Sequence, residues 1–343
     1  MKAAFLTDQG SLDHLHYGDG PDPAPARGEV LVRVRACSLN RVDLFAVMGQ
    51  KGVRVRCPRI LGRDFAGEVV ALGEDADGAF QPGDRVLVYP HVSCGHCEAC
   101  QRGRDNMCVR ALVIGLTSDG GLAELARVPL DNVYPLPANL SFEEGSSVPT
   151  TFVTAWHMLV RRARLQPGED VLVMAAGSGV GSGAIQIARR LGARVFATAG
   201  SDEKLALARE LGAEHAINYQ TEDFSQRVLA LTGGRGVDVI VDHVGASVWE
   251  KNFASMAVGG RLVNCGVSSG HRVELHMGQL FTRHLSILGS TMGTKADVLD
   301  VLRLLERGEL RARVARTFPL SEARRAFETM ASSDFFGKLV VVP

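Results

Sequence analysis

The chain has 343 residues, 46% hydrophobic and 22% charged, which is long for one compact domain and comfortable for two. Its 38 Lys and Arg balance 38 Asp and Glu, so the formal net charge is zero, and no basic stripe stands out. That balance speaks against a nucleic-acid binder and for a small-molecule partner.

The first residues reach Asp8 without an apolar run, so no secretory leader is expected and the chain reads as cytoplasmic. Residues 29–36, EVLVRVRA, alternate apolar and charged side chains, the pattern of a strand with one buried and one wet face. Residues 65–73 and 83–90 read as further short strands bounded by glycine and proline. The N-terminal part is therefore expected to be β-rich, with no long helix.

Four of the seven cysteines, Cys94, Cys97, Cys100 and Cys108, follow the spacing C-x2-C-x2-C-x7-C. An odd count without a leader argues against a disulfide framework. Two-residue gaps let consecutive thiolates face one centre, and the longer gap lets the chain loop back with a fourth. Four sulfurs close a tetrahedral shell, which suits one structural zinc. Ferredoxin-type cluster runs use different gaps.

At Ser141 the pattern changes. Ser141 and Glu144 form a capping-box signature ahead of an apolar-periodic helix expected to run on through residue 160. An α/β alternation follows, with strands expected at 170–176, 193–200, 214–219, 237–245, 260–266 and 285–290, and helices at 183–192 and 202–212. This rhythm predicts an α/β fold with a parallel sheet covered on both faces. The charge-free stretch 171–188 is broken by Gly177, Gly179, Gly181 and Gly183, so it reads as strand, turn and helix start, with no membrane span. Helices at 296–308 and 321–332 and a strand at 337–343 end the chain.

The segment from Ala175 through Gly183 (AAGSGVGSG) sits between a strand and a helix. Glycines there let the backbone approach a pyrophosphate, and the helix start offers free N–H groups. The second strand ends on Ala199 and Gly200, with no Asp or Glu at the tip to take the ribose hydroxyls. Ser201 and Lys204 follow and could contact a 2′-phosphate, which favours NADPH. The other reading makes Lys204 a solvated helix residue and gives the ribose to Asp202 or Glu203.

The thiol lobe followed by this glycine turn resembles the medium-chain dehydrogenase/reductase superfamily, zinc-containing alcohol dehydrogenases included, over essentially the whole chain. Residues 37–43 (CSLNRVD), 149–156 (PTTFVTAW) and 199–213 (AGSDEKLALARELGA) look closest to its quinone oxidoreductase branch. The resemblance implies a GroES-like β domain (1–152), a Rossmann doubly wound domain (153–291) and a C-terminal return to the first domain (292–343). It also implies a homodimer or homotetramer, for which an edge strand around Val263 is a candidate. Carried over by position, Gly177, Ser178, Gly179, Val180, Ser201, Lys204, Tyr219 and Lys338 would lie along the cofactor.

The resemblance also exposes a departure. Zinc-dependent members place a ligand cysteine three residues before an aspartate that matches Asp43, and this chain has Asn40 there. Their G-H-E motif is Gly62-Arg63-Asp64 here, and their third ligand falls at Thr150 or Thr151. A lone carboxylate, Asp64, does not make an open catalytic zinc site, which needs three protein ligands. The expectation is hydride transfer from NADPH to a quinone, enone or 2-alkenal, with Asn40 orienting nicotinamide or substrate and Arg63 polarising a carbonyl. A second reading makes Arg63 an ion-pair partner of Asp64. A zinc alcohol dehydrogenase with atypical ligands and a dinucleotide sensor with little catalysis are the alternatives.

Overall fold

A computed structural model describes residues 1–76 and 78–343. The chain folds as two compact units, Met1–Thr150 with Thr294–Pro343, and Thr151–Gly293.

In the first unit the alternating segment becomes the strand Glu29–Ser38, with Val30, Val32 and Val34 buried and Arg33 and Arg35 exposed. It lies in a seven-stranded sheet ordered Val133–Pro135, Arg85–Val88, Asp64–Leu72, Glu29–Ser38, Lys338–Val342 and Val314–Pro319, with Leu125–Pro129 also paired to Glu29–Ser38. Lys338–Val342 returns from the C-terminus to lie antiparallel to Glu29–Ser38, where Val340 faces Ser38. This return joins residues some 300 positions apart and places the start of the last strand beside Leu39 and Asn40. Gly67 permits the pairing of Asp64–Leu72 with Glu29–Ser38, because a Cβ there would lie 2.0 Å from the Arg33 carbonyl oxygen.

The second unit holds a six-stranded parallel sheet in the order His215–Asn218, Arg194–Ala199, Asp170–Val173, Val237–Asp242, Met256–Asn264 and Ser286–Gly289. Asp170–Val173 is buried along its whole length, as a strand covered on both faces must be. The chain runs outward from it to one edge, then crosses to its other side at Val237–Asp242. Ligands bind at such a reversal, beyond the carboxyl ends of the strands. Among the described residues no helix is long and apolar enough to cross a membrane.

Three expectations need correction. The helix foreseen from Ser141 to residue 160 is broken: Phe142–Ser146 stands alone, and Thr151–Trp156 runs into π-helical turns at His157–Arg162. Pro149 between them has no N–H to donate. The strand carrying Val263 is not an edge, because Ser286–Gly289 pairs outside it. The short helices Arg41–Met48, Phe224–Leu231 and Trp249–Ser255 escaped the sequence reading, each offering two turns of periodicity at most.

Gly67→Ala should force the two central strands of the first unit apart. The expected loss is about 3 kcal/mol, read as a lower urea midpoint for that unit.

Candidate functional site

The helix Arg41–Met48 starts where the strand Glu29–Ser38 ends, and Asn40 is its N-cap. The Asn40 backbone N–H donates to Asp43 Oδ2 at 2.7 Å, which fixes the main chain and leaves the side chain for other work. Asn40 Nδ2 donates to Asp64 Oδ2 at 2.9 Å, and Asn40 Oδ1 accepts from the Lys338 amine at 2.6 Å. A lysine only donates and a carboxylate only accepts, so the amide has one possible orientation. Thr150 completes the net, its hydroxyl donating to Asp64 Oδ1 at 2.7 Å and its N–H to Asp64 Oδ2 at 3.1 Å. Lys338 also donates to the Leu39 carbonyl.

These groups lie deep in the first unit. Asp43 and Asp64 are fully buried, and Asn40, Arg63 and Lys338 nearly so. Burial pushes the Asp43 carboxyl up to about 6, opposed by the nearby Arg63 guanidinium and by the Asn40 N–H. Asp43 Oδ1 has no hydrogen-bond partner, which adds to the cost of charging it. Burial draws the Lys338 amine below its ordinary value, against the pull of Asp64 and Asp43. Burial also lifts the Cys37 thiol well above its usual range, so it is an inert core side chain.

A catalytic zinc does not fit this donor set. The three positions that would ligate it hold an amide, a guanidinium and a hydroxyl. Asn40 Oδ1 is taken by an ammonium, while Asn40 Nδ2 and Thr150 both donate to Asp64. Two carboxylates already face two cations, and a dication would add uncompensated charge to a buried site.

The thiol lobe is different. Cys97 and Cys100 Sγ lie 3.5 Å apart, Cys97 and Cys108 3.9 Å, and Cys94 and Cys100 4.0 Å. A tetrahedral zinc with bonds of about 2.3 Å needs sulfur separations of about 3.8 Å. None of the four is in a disulfide. The His96 N–H draws Cys94 down to about 5, while desolvation lifts Cys100 to about 11. Four thiols packed this closely cannot all ionise without a cation among them. The lobe is anchored by His91 Nε2 on the Asp105 carbonyl at 3.1 Å and by the Lys295 N–H on the Asp105 carboxylate at 3.1 Å. Among the described residues no other group of three or more His, Cys, Asp or Glu donors converges in this way.

In the second unit the turn follows Asp170–Val173 and opens the helix Gly179–Arg190. Ser178 caps that helix, its Oγ accepting from the Gly181 N–H at 2.9 Å. Gly181 is required because a Cβ there would lie 2.4 Å from the Ala175 carbonyl oxygen. Gly177, Ser178, Gly179 and Val180 thus form the strand-to-helix turn. At the neighbouring strand tip Ser201 caps Asp202–Leu211, accepting from the Lys204 N–H at 3.3 Å. The Asp202 carboxylate is held by Asn218 Nδ2 at 3.0 Å. Tyr219 is half exposed, with its hydroxyl close over Gly200.

The structure adds members that sequence reasoning passed over. His243 Nε2 lies 2.8 Å from Ser178 Oγ. It follows Val237–Asp242 at the carboxyl edge of the sheet, which was the signal that could have found it. Thr150 was marked only as the place of a missing ligand, and its bond to Asp64 depends on a contact between residues 86 positions apart.

The Asp43 carboxyl holds its proton more tightly when folded (about 6) than its ordinary value of 3.8. The native state therefore binds more protons between those values, and stability falls as pH rises through that window. Relative to the parent, Asp43→Asn should gain stability as pH rises from 4 to 6, by up to about 2–3 kcal/mol, then hold steady. Urea midpoints at pH 4.5, 5.5 and 7 measure this.

A family profile described as alcohol dehydrogenase GroES-like domain matches residues 26–138, and one described as zinc-binding dehydrogenase matches 179–307. An acryloyl-coenzyme A reductase of Metallosphaera sedula is 30% identical over 342 residues, 99% of each chain. An alcohol dehydrogenase of Geobacillus stearothermophilus is 31% identical over 342 residues, again 99% of each. The crystal structure of an NAD-dependent alcohol dehydrogenase superposes with a TM-score of 0.96 at 43% identity, covering 100% of both chains. The chain therefore belongs to the medium-chain dehydrogenase/reductase superfamily, among its zinc-type alcohol dehydrogenase-like, NAD(P)-dependent oxidoreductases.

Proposed function

We propose that the protein reduces an activated C=C bond or quinone with NADPH, and that it does so without a catalytic zinc. The observation that carries this reading is the buried net of Asn40, Asp64, Thr150 and Lys338, which fills the place of a catalytic metal with groups bonded to one another. Alcohol oxidation needs a group that stabilises the developing alkoxide, and in zinc-dependent dehydrogenases the metal is that group. Reduction of an enone or 2-alkenal spreads charge onto a distal carbonyl oxygen, where hydrogen-bond donors suffice. The name of the acryloyl-coenzyme A reductase relative supports the same class, because an acryloyl thioester is a conjugated C=C.

When bound, the nicotinamide supplies a hydride to the carbon β to the carbonyl. The C=C electron pair moves toward the carbonyl oxygen, and a solvent proton then adds at the α-carbon. Asn40 offers its second amide N–H, held in place by Lys338 and Asp64, to orient nicotinamide or substrate. Arg63 places a fixed positive charge for the developing oxyanion. The turn at Gly177–Val180 takes the pyrophosphate on free N–H groups. Ser201 and Lys204 take the 2′-phosphate, a role favoured by Ala199 at the strand tip and by the engagement of Asp202 with Asn218. The four-thiol lobe holds one zinc that fastens the segment 94–108.

Steady-state assays with 2-alkenals, quinones and primary alcohols test the proposal. Alkenal or quinone reduction should exceed alcohol oxidation, with NADPH favoured over NADH. Asn40→Ala and Arg63→Ala should each lower kcat by about 10²-fold, and Lys204→Ala should raise the KM for NADPH but not for NADH. Zinc-dependent alcohol oxidation as the dominant activity, or unchanged turnover in both active-site variants, would contradict it.

A further inference from the structure

The parallel sheet carries its glycine turn at the carboxyl ends of the strands. Beside its outer strand Ser286–Gly289 lies a cavity of about 420 Å³ lined by Arg161, Arg162, Arg164, Arg261, Ser286 and Leu288. Its volume falls in the range of small-molecule sites. Four guanidinium groups around one cavity is a steep concentration of charge in a chain whose net charge is zero.

The carboxylates described near it are largely committed to other arginines or to one of the four. Asp170 and Asp238 are engaged by Arg194 and Arg235, at 2.5–2.6 Å. Glu169 takes one nitrogen of Arg261 at 2.6 Å. Arg162 is pinned through Nε to the Gly289 carbonyl at 2.8 Å, and neither it nor Arg164 has a carboxylate partner among the described residues.

Two further details point to a ligand. Arg261 Nε is a buried donor with no hydrogen-bond partner, on a side chain that lines the cavity. Buried donors are nearly always satisfied, so an orphan there asks for an acceptor that the protein does not supply. Arg164 sits just past the end of His157–Arg162 with φ of +51°, the left-handed cap position that glycine fills without strain. An arginine kept in that conformation sets a fourth guanidinium on the cavity at a backbone cost.

We propose that this cavity is a second anion site, built for a phosphate group and separate from the dinucleotide turn. The planar donor forks of arginine match phosphate oxygens in pairs, and a dianion balances more of the cluster than a carboxylate would. The ligand class is a free phosphate or a small phosphate monoester.

Calorimetric titration of the full-length protein tests this, with NADPH at saturation so that the glycine turn is occupied. The probes are inorganic phosphate and glycerol 3-phosphate, with acetate at matched ionic strength as control. Phosphate-class probes should bind at least about tenfold more tightly than acetate. The better of the two probes identifies a free or an esterified ligand, and either result supports the site. Arg162→Ala with Arg164→Gly should weaken binding by about tenfold or more, while the glycine relieves the backbone and keeps the fold. Arg261→Lys keeps the charge and loses the fork, so it should also weaken binding. Binding no tighter than acetate, or unchanged affinity in the folded double variant, would overturn the proposal.

Discussion

The hydrogen bond from Lys338 to Asn40 is the contact on which the rest of the first unit's site depends. It joins the last strand of the chain to the first helix, and it works only because Lys338–Val342 returns to pair with Glu29–Ser38. An ammonium on one side and a carboxylate on the other leave the Asn40 amide a single orientation. Thr150 then satisfies the remaining face of Asp64. Two anions and two cations share a space closed to water, and that balance decides what chemistry the site can hold. Removing the Lys338 or the Asp64 charge would leave the other buried without its counter-charge, a loss of about 3–5 kcal/mol.

This arrangement separates the two metal questions that the family raises. At the thiol lobe four soft donors converge at the spacing of a tetrahedral shell, with backbone N–H groups but no side-chain cation among them. At the Asn40 site the protein's own cations occupy the electrostatic role, and the donors that remain are hard, neutral or already bonded. The same scaffold therefore presents four converging thiols at one place and an ion-paired net at the other. The second unit is indifferent to this change, because a parallel sheet with a glycine turn at its reversal point serves any nicotinamide chemistry.

Much of this was legible in the sequence, and what was not has a physical reason. The alternation at 29–36 and the apolar run at 171–173 both fold as their periodicity predicts. The Ser141–Glu144 capping box is formed, with Ser141 N–H to Glu144 at 2.9 Å. The helix it starts is cut short by Pro149, where the apolar period alone suggested continuity. The edge of the parallel sheet was misplaced because Met256–Asn264 and Ser286–Gly289 carry similar apolar patterns, and only pairing distinguishes them. Local spacing revealed the four thiols and the glycine turn. The partners of Asn40 lie 24 and 298 positions away, and the bond between His243 and Ser178 spans 65, so no local pattern could show them.

The central claim is that the ion-paired net at Asn40 stands in place of a catalytic zinc while the thiol lobe retains its own. Elemental analysis of the purified protein, dialysed against zinc and then freed of excess, tests it most directly. The account predicts about one zinc per chain, lost when Cys97 and Cys100 are replaced. About two per chain, with the second removed by Asp64→Ala, would contradict it.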